Sequence, residues 1–133
     1  MSQQAPAKAR TKTPFAYGGE VTISVKVTDI DRAIEWYREA FGFELIYKLD
    51  DWSWCELSTP IKGVHVGLGQ TEDDARGATA PYFTVKDIEA AKAHLESVGA
   101  TFEGDVNVIE GMVKLAAFKD PDGNPFGLAE PIS

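Results

Sequence analysis

A chain of 133 residues is the size of one ordinary domain, and 44% hydrophobic against 26% charged residues is the balance of a globular protein. Thirteen Lys and Arg against 21 Asp and Glu leave a net charge of −8, which repels phosphate backbones and argues against nucleic acid as a partner. No apolar run is long enough to span a bilayer and no apolar signal core opens the sequence, so no membrane partner is expected and the cytoplasm is the expected compartment. The single cysteine, Cys55, excludes an internal disulfide and any multi-cysteine metal centre.

Residues 1–16 carry Lys8, Arg10 and Lys12 and no acid. With Ala5-Pro6-Ala7 and Thr13-Pro14 among polar residues, they read as a disordered basic tail. The folded part is expected over 17–133. Residues 20–27 alternate, with Val21, Ile23, Val25 and Val27 on one face and Thr22, Ser24 and Lys26 on the other, as in a half-buried strand. Thr28 or Asp29 can cap a following helix, in which Ile30, Ala33, Ile34, Tyr37 and Phe41 recur at helical spacing and which Gly42 stops. Strands are predicted at 43–49, 52–58 and 64–70. After the acidic linker 69–77 the plan recurs. A strand at 80–86 leads to a helix at 87–98, with Ile88, Ala91, Leu95 and Val98 inward. Strands follow near 101–108, 112–119 and 125–130, with a turn at Asp120-Pro121-Asp122-Gly123-Asn124.

The recurrence is an internal repeat. Val27-Thr28-Asp29-Ile30 aligns with Val85-Lys86-Asp87-Ile88, and Gly67-Leu68-Gly69 with Gly127-Leu128-Ala129. The order is βαβββ-βαβββ, with repeats over about 18–70 and 78–131. The fold class expected is α+β: two small mixed sheets enclosing a cleft, one helix backing each.

This tandem repeat, the run V-x-D-I-x-x-A-x-x-W-Y-x-x-x-F-G-F from Val27 to Phe43, and F-K-D-P-D-G-N-P-F-G-L-A-E from Phe118 to Glu130 resemble the vicinal oxygen chelate superfamily. That group includes glyoxalase I, extradiol dioxygenases, fosfomycin-resistance proteins and bleomycin-binding proteins. The resemblance implies a glyoxalase-like fold over nearly the whole folded chain. It also implies where a divalent ion would sit: on the first and last strand of each half. Those four places fall on Thr22, Gly67, Ala80 and Gly127. Gly and Ala have no ligating side chain and a lone Thr hydroxyl is a poor ligand. His65 lies two positions from the nearest place. The resemblance is therefore to a branch deficient in metal ligands, and no cofactor is expected.

The alternation also assigns faces. Val64, Val66 and Leu68 should turn to the helix, leaving His65, Gly67 and Gly69 toward the cleft. Ser53, Cys55 and Leu57 form the helix-facing set of their strand, so Trp52, Trp54 and Glu56 point into the cleft. Thr22 and Ser24 face it from the first strand, and Tyr82 from the fifth. Glycines at 67 and 127 should open space opposite. Aromatic walls suit a flat or cationic organic ligand. Each residue also has a plainer reading: the tryptophans as interface filling, His65 as a structural histidine, Glu56 as a surface residue, and Cys55 as a buried small hydrophobe.

Three functions follow. The first is a metal-independent small-molecule-binding protein, with Trp52, Trp54, Glu56, His65, Tyr82, Thr22 and Ser24 around the ligand. The second is a metal-free isomerase, lyase or hydrolase acting on a small carbonyl compound, with His65 and Glu56 as acid and base. The third is a duplicated sensor domain or scaffold. A homodimer is expected, because paired edges protect exposed strands.

Overall fold

Both helices start in the same way, and the repeated motif explains it. Strand β1 (Tyr17–Val27) runs into helix α1 (Ile30–Phe41), whose cap Asp29 accepts a hydrogen bond from the Arg32 N–H. Strand β5 (Thr79–Val85) runs into α2 (Ile88–Ser97), where Asp87 accepts from Ala90 N–H. A second acceptor arrives from the far end of each repeat. The Ile30 N–H donates to Gln70 Oε1 at 2.9 Å, and the Ile88 N–H to Glu130 Oε1 at 2.8 Å. Side chains thus satisfy two of the N–H groups that each helix start leaves unpaired. The computed structural model describes residues 13–72 and 79–132. The basic residues Lys8, Arg10 and Lys12 and most of the acidic linker lie outside them.

The remaining strands of the first half are β2 (Glu44–Leu49), β3 (Trp54–Ser58) and β4 (Val64–Gln70). Those of the second are β6 (Thr101–Phe102), β7 (Asn107–Ile109), β8 (Val113–Lys119) and β9 (Pro125–Pro131). The expected strand over 101–108 is thus two short pieces. Fold class and repeat order stand as read from the sequence, but the sheets do not stay separate. They join into one nine-stranded sheet, β2-β3-β4-β1-β5-β9-β8-β6, with β7 also on β8. The joint is antiparallel pairing of β1 with β5, which sets Thr22 opposite Tyr82 and Ser24 opposite Ala80. Pairing the two first strands satisfies edges that separate sheets would leave open.

Each helix covers its own half of one sheet face. Ile30 and Ile34 pack on Cys55, Leu57, Val66 and Leu68; Ile88 and Ala91 pack on Val85, Ala116, Phe118 and Leu128. Two residues expected inside are not there: Phe41 is 55% exposed and Val98 is 61% exposed. Phe41 is the last residue of α1 and Val98 is the C-cap of α2. Residues just before β1 also join the body. Phe15 packs against the second core and the Ala16 carbonyl accepts from the Lys86 N–H, so the body takes in residues assigned to the tail.

Candidate functional site

The sheet face away from the helices holds a cavity of about 520 Å³, to which every strand but β6 contributes. That volume suits a small organic molecule. All seven residues expected around a ligand line it: Thr22, Ser24, Trp52, Trp54, Glu56, His65 and Tyr82. They arrive by different routes. Trp54 and Glu56 follow the alternation of β3, whose other residues Cys55 and Leu57 are fully buried under α1. Trp52 does not belong to that strand. Asp50–Trp52 form a single 3-10 turn, and Ser53 follows in a left-handed conformation with φ of 49°. The turn breaks the alternation, so Ser53 is exposed rather than helix-facing, and Trp52 stands at the rim, 59% exposed.

Tyr47 also lines the cavity, although the alternation of 43–49 gives no sign of it. A bulge between Leu45 and Tyr47 accounts for this. Leu45 pairs with Leu57, on the helix side, while Tyr47 pairs with Glu56, on the cavity side. One extra residue switches the face of everything after it. The adjacent apolar pair Leu45-Ile46, which no alternating strand requires, is the trace of that switch in the sequence.

The polar centre of the cavity is Glu56. Its Oε2 accepts from the Thr22 hydroxyl at 3.0 Å and meets His65 Nδ1 at 3.1 Å, and its Oε1 accepts a long hydrogen bond from the Tyr47 hydroxyl at 3.4 Å. The side chains of Glu56 and His65 are only 12% and 20% exposed. Burial, and then the neighbouring Glu56 charge, raise the Tyr47 phenol above the ordinary tyrosine value. Burial, followed by the charge of Glu103, raises Tyr82. Burial likewise pushes the Cys55 thiol up, as befits a core residue. On β8 the faces also separate. Val113 and Leu115 line the cavity, while Lys114 lies 3.7 Å from Glu130 Oε2 of β9, whose Oε1 accepts from the Ile88 N–H at the start of α2.

The places implied for a metal ion look different. The Trp54 ring lies directly over Gly67, and a Cβ there would run into its Cζ2 and Cη2 atoms; the Tyr82 ring lies over Gly127 in the same way. The glycines therefore do not open empty space, as the sequence reading expected. They admit aromatic rings, and neither Gly67, Ala80 nor Gly127 lines the cavity. His65 and Glu56 are paired with each other, and among the described residues no three His, Cys, Asp or Glu side chains gather as a metal site. This donor set does not fit the four-ligand arrangement that the resemblance implied.

Comparison with known proteins places the chain. The profile of the Glyoxalase/Bleomycin resistance protein/Dioxygenase superfamily matches residues 21–128. The chain belongs to this superfamily. Solved structures of the superfamily fold agree with it in shape. Methylmalonyl-CoA epimerase from Mycobacterium tuberculosis has a TM-score of 0.73 at 20% identity, covering 92% of this chain and 94% of that one. A glyoxalase/bleomycin resistance protein/dioxygenase superfamily member from Vibrio splendidus 12B01 gives 0.61 at 20% identity, covering 84% and 97%. A variant of the Streptomyces coelicolor methylmalonyl-CoA epimerase, in complex with 2-nitronate-propionyl-CoA, gives 0.65 at 17% identity, covering 91% and 100%. Comparison with curated sequences gives no match. At these identities the likeness is one of fold, and the superfamily fold serves many chemistries. Among the described residues no helix is long and apolar enough to cross a membrane.

Proposed function

We propose that the chain is a metal-independent binding protein for a flat organic molecule, held in the cavity between Trp54 and Tyr82. The observation that carries this reading is the seating of those two rings over Gly67 and Gly127. Side chains able to hold an ion are replaced there by aromatic surface, and aromatic surface favours planar ligands. The test is a screen of planar compounds by quenching of tryptophan fluorescence, in a Trp36→Phe background that removes the indole outside the cavity. Binding unchanged by a strong chelator is the expected result. Binding that vanishes with the chelator and returns with a divalent ion overturns metal independence.

A second reading has its own observation. The contact of His65 Nδ1 with Glu56 Oε2 at 3.1 Å is the geometry of an oriented base, and it supports a metal-free isomerase, lyase or hydrolase acting on a small carbonyl compound. Turnover of a bound ligand that is lost in His65→Ala, with binding retained, would favour the enzyme. The protein is further proposed to form a homodimer. Supporting this are the open edge strand β2 and the exposed aromatics Trp36 and Phe41.

A further inference from the structure

We infer that the cavity selects planar molecules carrying an N–H or O–H donor and turns away carboxylates and phosphates, with His65 Nε2 as the acceptor that makes the choice. This rests on the binding reading above and names the ligand class.

The argument starts from Glu56. The Thr22 hydroxyl and the Tyr47 hydroxyl both donate to it. An ionised carboxylate only accepts, so His65 Nδ1 at 3.1 Å is the third donor. In a neutral imidazole one nitrogen carries the proton and the other accepts. Holding the proton on Nδ1 therefore leaves Nε2 as a bare acceptor. Among the described residues Nε2 has no hydrogen-bond partner, and the His65 side chain lines the cavity. A ligand donor can satisfy it; a ligand acceptor would meet it lone pair to lone pair.

Charge works in the same direction. Among the described residues no Lys or Arg lines the cavity, and the carboxylates that do are those of Glu20 and Glu56. A protonated His65 would already be paired with Glu56. An anionic ligand would thus lose its hydration with no free cation among the described lining residues to replace it.

Two measurements test this. Long-range 1H–15N correlation at pH 8 on 15N-labelled protein reads the imidazole tautomer, and because the chain has two histidines, a His94→Gln variant leaves His65 alone in the spectrum. The expected result is a proton on Nδ1; a proton on Nε2 overturns the inference. Tryptophan quenching then compares three probes of similar size: 2-aminobenzimidazole, quinoline and 2-naphthoate. The donor-bearing probe should bind at least about tenfold more tightly than either other, as buried acceptors left unpaired discriminate strongly. In Glu56→Gln the amide can donate to Nδ1 and turn Nε2 into a donor, so the preference over quinoline should shrink to about threefold or less. Naphthoate binding as tightly as the amine, or a preference unchanged in Glu56→Gln with its melting temperature retained, overturns the selection while leaving the binding reading intact. If no planar probe binds, the binding reading falls and takes this inference with it.

Discussion

The indole of Trp54 rests on the backbone of Gly67 so closely that residue 67 has no room for any side chain. Tyr82 and Gly127 repeat the arrangement in the other half, directly across the β5–β9 ladder. In each half a glycine on the last strand supports an aromatic ring, and the ring forms cavity wall. Wall and glycine therefore have to change together.

Gly67→Ala and Gly127→Ala should each cost about 1–3 kcal/mol of stability, since the added methyl displaces a packed ring. Gly19, around which a Cβ would meet nothing within 4 Å, is the control. Gly19→Ala should stay within about 0.5 kcal/mol of the parent. Urea unfolding of the three variants checks this. Equal stability of all three would mean that the rings are not held against the backbone.

Tyr82 should make the stability of the protein fall at alkaline pH. Burial, then the charge of Glu103, raise its folded-state pKa above the unfolded 10.0. Between the two values the folded state holds the proton and the unfolded state releases it. The stability this contributes is complete below the unfolded value and is lost as pH rises through the folded one. The urea midpoint should therefore fall more steeply above about pH 10 in the parent than in Tyr82→Phe. Parallel curves would show that Tyr82 does not sense its surroundings in this way.

Much of this arrangement was legible in the sequence, and the failures have two causes. The repeat gave the element order because Asp29 and Asp87, with Gln70 and Glu130, cap equivalent helices. Alternation placed Glu56 and His65 on one face because β3 and β4 are regular over those residues. It failed where the backbone leaves the period of two. The 3-10 turn before Ser53 put Trp52 at the rim by another route, and the bulge before Tyr47 hid a cavity residue. The seating of rings on Gly67 and Gly127 needed three dimensions: a glycine in a strand marks either a gap or a close approach, and only the neighbouring side chain decides which.

The proposed dimer makes a simple prediction about mass. Trp36 and Phe41 are 57% and 55% exposed, and Phe41 stacks on Phe43 with 5.0 Å between ring centroids. Sedimentation at micromolar concentration should give about twice the 14.5 kDa of one chain, and Trp36→Glu should return it to a monomer if this patch is the contact. A parent protein that sediments as a monomer sinks the proposal.

Trp54→Ala separates a binding wall from a core residue. Trp54 is half-buried, with its ring over Gly67 and Gly69 on one side and the cavity on the other. A fully buried aromatic costs about 3–5 kcal/mol when truncated to Ala. A ring with one face open to a cavity loses only part of its contacts, so the cost here should fall below about 3 kcal/mol and the fold should survive. A stacked aromatic contact is worth about 1 kcal/mol beyond burial. Affinity for a planar ligand should therefore drop severalfold or more in the same variant. Melting temperature and fluorescence titration on one preparation read both quantities, with Trp52 left to report binding. A collapse of the melting temperature with ligand affinity unchanged in the surviving folded protein would make Trp54 a structural residue and remove one wall of the proposed site.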